Sequence, residues 1–146
     1  KGFSVQHNSI LALDVGAKRV GVAVASIIAQ LPRPLITLDN DDSFMTSLQN
    51  IIEVEDVGAM IVGYPRDMKG DSTQQTREVE EFTAKLRQEF AMPIIYQDEA
   101  LTSKHAEAEL DAKGKNYVRG DIDSLAATYI LQDFLNDPKN INGLEL

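Results

Sequence analysis

The chain has 146 residues, 43% hydrophobic and 25% charged, with no apolar run near the roughly 20 residues of a membrane helix; this composition suits one globular domain with one core. It has no cysteine, which excludes disulfides and thiolate metal sites and makes the cytoplasm the expected compartment. Its 14 Lys and Arg against 23 Asp and Glu leave a formal charge of −9, which counts against a passive nucleic-acid binder but not against an enzyme whose carboxylates gather divalent cations.

Residues 1–8 carry no apolar signal-peptide core, so no secretory signal is expected. Residues 10–14 (ILALD) read as a short buried strand. Gly16-Ala17-Lys18 makes a turn, and residues 19–25 (RVGVAVA) return as the second strand of a hairpin. Pro32 and Pro34 mark a loop before a short third strand at 35–38. Asp41, Asp42 or Ser43 can cap a helix running to about Val54, with Phe44, Leu48, Ile51 and Ile52 on one face. Residues 58–63 (GAMIVG) form a strand buried on both faces, and 64–72 a polar Gly/Pro loop. Ser72 or Thr73 opens a helix to about Phe90, with Val79, Phe82 and Leu86 as its apolar stripe. Residues 93–97 are a fifth strand, followed by Asp98-Glu99. Thr102 or Ser103 begins a helix through about Lys113, residues 114–120 form a basic loop, and 121–135 the last helix, ended by Asp137-Pro138. The expected organisation is one domain over residues 1–138 and a polar C-terminal tail, 139–146, that frays. A hairpin-rich start followed by β-α-β-α alternation predicts an α/β fold: a mixed sheet of about five strands with helices on both faces.

Asp14 ends the first strand, Glu99 follows the fifth, and Asp123 lies in the first turn of the last helix. Strand ends and helix starts are where an open α/β sheet gathers its ligand-binding groups. Converging carboxylates suit Mg²⁺ or Mn²⁺, which prefer hard oxygen ligands, and such ions can hold the attacking water and the leaving oxygen of a phosphodiester. Taken singly, each acid has a bland explanation. Asp14 could be a turn residue, Asp123 with Asp121 could complement a helix dipole, and Asp98-Glu99 could cap a helix or face solvent. Lys18 and Arg19, beside Asp14, could touch a phosphate or decorate the turn. Lys113, Lys115 and Arg119 flank Tyr117, a combination that can grip a backbone and stack a base but is more often a solvated loop. His7 and His105 have no metal-ligand partners at useful spacing. Ser26, Ser72 and Ser103 lack a nucleophile-elbow context, and there is no P-loop and no GxGxxG.

Four segments in order carry a family resemblance. LALDVGAKRVGVAVA at 11–25 resembles the opening motif of the YqgF/RuvX family, Holliday junction resolvases with a ribonuclease H-like fold. IVGYPRDMKGDSTQQTREVEEFTAKL at 61–86 is similar to that family's GLP loop and following helix, YQDEALTS at 96–103 to its DERLTS motif, and DIDSLAATYILQDFL at 121–135 to its closing D-x-A-A helix. Any one motif is weak; all four in order, spanning most of the chain, are quite specific. The resemblance implies a metal-dependent nuclease acting on a precursor of small-subunit ribosomal RNA or on branched DNA. It implies an acidic site of Asp14, Glu99 and Asp123, with Asp98 standing in for Glu99 and Asp121 helping Asp123 as alternatives. Lys18 and Arg19 match the family's K-R pair and would contact substrate phosphate; Lys115 and Arg119 are substrate-contact candidates from the basic loop alone, not from the resemblance. One position departs from the pattern: the Arg of the family's DER motif is Ala100 here. A charge-assisted contact is then lost, and weaker activity or a changed substrate would follow.

Two classes of function therefore stand. In the first, the chain is an endonuclease cutting structured nucleic acid with Mg²⁺ or Mn²⁺ and without a membrane partner; a homodimer would suit a symmetric junction. In the second, the same fold is a non-catalytic module that binds nucleic acid or protein. The missing Arg and the acidic charge favour the second; the intact acids oppose it, because a binder gains nothing from mutually repelling carboxylates.

Overall fold

Apolar residues dominate the first strand, β1 (Ser9–Val15), whose inner residues are fully buried. The chain turns at Gly16, where its N–H donates to the Arg19 carbonyl at 2.9 Å, and returns as β2 (Arg19–Ser26). The pairing is antiparallel and sets Asp14 opposite Gly21, Ala12 opposite Ala23 and Ile10 opposite Ala25. The computed structural model describes residues 7–65, 74–99, 108–109, 111–112 and 119–144.

β3 (Arg33–Asp39) pairs antiparallel with β2 and is longer than the expected 35–38 strand. Pro34 is tolerated because β3 lies at the sheet edge, and a bulge interrupts the ladder beside it. Helix α1 (Phe44–Glu55) starts after an Asp41 turn, in which the Ser43 N–H and hydroxyl both donate to the Asp41 carboxylate. Of the three candidates Ser43 occupies the N-cap position, without a side-chain cap bond, and the two bonds it donates hold the Asp41 carboxyl below the usual value. The helix closes at Asp56, a non-glycine residue in the left-handed region (φ 54°). β4 (Val57–Pro65) then runs parallel to β1, and after α2 (Gln74–Glu89) comes β5 (Ile94–Glu99), parallel to β4. The sheet order is β3-β2-β1-β4-β5, the mixed five-stranded sheet that the element pattern predicts.

Each face of the sheet has its own composition. One face presents Leu11, Leu13, Val15, Val20, Val22, Val24, Met60 and Val62, which pack against Phe44 and Leu48 of α1 and Val79, Phe82 and Leu86 of α2. The other presents Ala12, Ala23, Ala25, Ala59 and Ile61 to a long helix, α3 (Arg119–Leu135), whose Ala127, Ile130, Leu131 and Phe134 fill that layer. Small side chains on the second face let α3 lie close to the strands, which brings its N-terminal half within reach of β1 and β2.

Three expected boundaries move. Asp98 and Glu99 belong to β5 rather than following it, because the ladder to β4 continues through Pro65. The last helix begins at Arg119 rather than Asp121, which places Asp123 one turn in. The expected frayed tail is helical over its described residues: α4 (Pro138–Leu144) folds back and buries Leu144 in the α3 layer. The local sequence reads as polar, yet buried Leu144 and half-buried Ile141 dock it, and the Asn140 Nδ2 donates to the Phe134 carbonyl. The helix expected over 102–113 and the basic loop over 114–118 lie outside the described residues, except for helical positions at 108–109 and 111–112.

Candidate active site

The site grows from the pairing of Asp14 with Gly21. By strand alternation, Asp14 faces α3, on the same side as Ala12, Gly21 and Ala23. Gly21 has no Cβ, and the backbone of α3 occupies that space. A Cβ at Gly21 would lie 2.0 Å from the Asp123 carbonyl oxygen and 2.8 Å from the Ser124 nitrogen. Glycine is therefore what allows the helix to rest on β2 at this point, and the contact fixes Asp123 beside Asp14.

Glu99 reaches the same place from the other side of β1. A Cβ at Gly63 of β4 would lie 2.6 Å from the Glu99 Oε2 and 2.5 Å from the Ile130 Cδ1, so the carboxylate lies over a glycine gap in the sheet. Asp14 responds electrostatically to both neighbours. Burial first, then the charges of Glu99 and Asp123, push its carboxyl well above the ordinary value. The three acids singled out from the sequence thus converge from β1, β5 and α3.

Their alternates do not join them. Asp98 pairs in register with Tyr64 and so lies on the α1/α2 face, opposite the Asp14 side. Asp121 is exposed at the start of α3. Arg19 has a position that the sequence does not suggest: its Nε donates to the Asp123 Oδ2 at 2.8 Å. Lys18 is exposed at the hairpin tip, which Asn40 braces by donating its Nδ2 to the Gly16 carbonyl at 2.8 Å and its backbone N–H to the Lys18 carbonyl at 2.9 Å. Lys115 and Ala100 lie outside the described residues, and Arg119 is the first residue of α3. A groove of about 260 Å³ bordered by Val15, Asn40, Glu78, Glu81, Phe82 and Lys85 opens on the α2 side of the sheet, opposite the face of Asp14.

The donor set fits a hard divalent cation, because anionic oxygens crowd around Asp14 and a cation relieves their repulsion. The fit is incomplete as the side chains stand. Among the described residues no three His, Asp or Glu side chains are drawn into ligating geometry, and Arg19 holds one of the carboxylates.

Gly21, Gly63 and Asn40 are the positions that sequence reading missed. An isolated glycine within the Val-rich RVGVAVA run is a signal of close backbone approach, and it was available for Gly21.

A mixed sheet in this order, with a carboxylate at the end of its first strand and another carried by a helix across it, defines a ribonuclease H-like protein. The fold is shared with T. thermophilus RuvC, whose structure was solved in complex with a Holliday junction substrate; the match has a TM-score of 0.51 and 13% identity, and covers 85% of this chain and 92% of that one. The chain belongs to the RuvX family, Holliday junction resolvase, whose model matches residues 8–137. Membership makes it a nuclease. Relatives named "Putative pre-16S rRNA nuclease" include one from Rickettsia typhi, 38% identical over 143 residues and covering 94% of this chain and 91% of its own. Another, from Gloeothece citriformis, is 32% identical over 140 residues, with 93% of each chain covered. No helix among the described residues is long and apolar enough to cross a membrane.

Proposed function

We propose that this nuclease hydrolyses phosphodiesters in structured nucleic acid with Mg²⁺ or Mn²⁺ held by Asp14, Glu99 and Asp123, and that its substrate is a precursor of small-subunit ribosomal RNA in the cytoplasm. The observation that carries the reading is the convergence of three acids from separate elements: Asp14 opposite Gly21 on β1, Asp123 seated over Gly21 on α3, and Glu99 over Gly63 at the end of β5. A protein without a cation to place there gains nothing from burying a carboxylate among carboxylates. The names of the relatives support the RNA substrate.

When bound, a divalent ion supplies positive charge to the attacking and leaving oxygens of an in-line displacement. The chain's own contribution is positional. Gly21 and Gly63 let α3 and Glu99 close on Asp14, and the rigid sheet fixes the spacing of the acids. In our reading Lys18, exposed at the braced hairpin tip, offers a cation to the substrate backbone, as do Lys115 and Arg119. Against a formal charge of −9 for the whole chain, these cations carry the electrostatic attraction to phosphate.

The family description favours a four-way DNA junction as the second substrate, on which a homodimer would match the junction's symmetry. Cleavage of a labelled precursor-rRNA fragment and of a labelled four-way junction, each with Mn²⁺ and with EDTA, separates the two. Mn²⁺-dependent cutting of the RNA with little cutting of the junction is expected. Preferential cutting of the junction selects the resolvase, and cutting undiminished in EDTA rejects the metal.

A further inference from the structure

We propose that Arg19 is a placeholder for the metal ion: its guanidinium holds Asp123 while no ion is bound, and passes to a substrate phosphate when an ion takes that carboxylate. Metal binding and nucleic-acid binding are then coupled through one side chain. The inference rests on the metal-dependent reading above and adds a mechanism by which the site waits for both ligands.

Arg19 and Asp123 are 104 positions apart and belong to different elements, β2 and α3, so their 2.8 Å contact is a product of the fold rather than of local sequence. Alternation along β2 puts Arg19 on the same face as Gly21, which stands opposite Asp14. The guanidinium therefore meets the acidic cluster at its rim. It offsets the negative charge of Asp123, one of the three gathered acids.

A divalent cation at the cluster cannot share Asp123 with a guanidinium at no cost, because like charges a few ångströms apart repel. Arg19 can leave. Its side chain is 36% exposed, whereas that of Asp123 is 19% exposed, so the cation side of the pair is the one with a path to solvent. A freed guanidinium at this rim, next to the Lys18 tip, has the planar fork that phosphate oxygens accept in pairs.

The test is Mn²⁺ titration followed by electron paramagnetic resonance on the full chain, without nucleic acid, for the wild type, Arg19→Gln and Arg19→Lys. Removing the competitor is expected to tighten Mn²⁺ binding about tenfold in Arg19→Gln, with Arg19→Lys close to wild type. Anisotropy of a labelled four-way junction supplies the second arm. Arg19→Gln is expected to weaken junction binding about tenfold in Ca²⁺ and by no more than about twofold in EDTA. Equal or weaker Mn²⁺ binding by a folded Arg19→Gln overturns the proposal, since a brace or a plain substrate contact gives that result. So does an equal loss of junction binding in Ca²⁺ and in EDTA. A readout on the unmutated chain guards against misfolding of the variant: the Arg19 Nε–H resonance should shift as Mg²⁺ saturates the site. An Arg19 signal unmoved while Asp14 and Glu99 signals shift overturns the proposal alone. No Mn²⁺ binding by any of the three chains overturns the metal-dependent reading and this inference together.

Discussion

The carbonyl oxygen of Asp123 lies 2.0 Å from where a Cβ of Gly21 would stand, so the helix that carries one acid rests directly on the strand paired with another. The atoms opposite Gly21 are backbone and cannot turn aside as a flexible side chain would. Gly21→Ala must therefore lift α3 from β2 and draw Asp123 away from Asp14. We expect a loss of about 2–3 kcal/mol, seen in urea unfolding, together with loss of cleavage. Wild-type stability in this variant would show that the helix is not seated there.

Asp14 should cost the apo protein stability at neutral pH. Its carboxyl is raised above the ordinary value by burial, Glu99 and Asp123, so the folded chain holds that proton more tightly than the unfolded chain. The benefit is complete below the ordinary carboxylate range and is lost as pH rises through the raised folded value. Asp14→Asn removes this dependence. Without metal it should be more stable than the wild type at pH 7, the advantage shrinking toward acid pH. Parallel stability curves from denaturant melts across pH would contradict the electrostatic account.

Glu99 and Asp98 are adjacent but lie on opposite faces of β5. Glu99→Gln should lower kcat by about a hundredfold or more, because it touches the acid cluster. Asp98→Asn should leave kcat within about threefold. Equal losses in single-turnover cleavage assays would mean that strand alternation does not assign the acid.

The C-terminal helix α4 is held by Leu144, which is buried in the α3 layer. Leu144→Ala should cost about 2 kcal/mol, at the low end for a buried leucine because the site is at the chain's edge and can collapse. Hydrogen exchange should then quicken in α4 ahead of the sheet. Unchanged exchange would mean that the helix is held by something other than its anchor.

The sheet was legible because its strands announce themselves: ILALD and RVGVAVA are apolar, and a glycine turn joins them at hairpin distance. Asp14 was legible for the same reason, as a charge at the end of an apolar run. The convergence of Asp14 with Glu99 and Asp123 was not, since it depends on β4 and β5 joining β1 in parallel and on α3 crossing β2. No local pattern encodes those long-range contacts. The family resemblance pointed to the same acids without supplying the geometry. Asp98 could be told from Glu99 only through the register with Tyr64 and Pro65. Arg19 was read as a phosphate contact, and its pairing with Asp123 across the fold could not be inferred from a turn sequence. The alternation of large and small residues on β1 and β2, with valine and leucine to one face and alanine and glycine to the other, was visible in the sequence. It shows in hindsight which face receives the close helix.

The central claim is that cleavage runs through the acids gathered at Asp14. Its most direct test is cleavage of the precursor-rRNA fragment in Mn²⁺ by the wild type and by Asp14→Asn, with both chains shown to be folded by circular dichroism. The account predicts that the wild type cuts and that Asp14→Asn, though folded and at least as stable, loses activity by about a thousandfold or more. Cleavage by Asp14→Asn at the wild-type rate would contradict it.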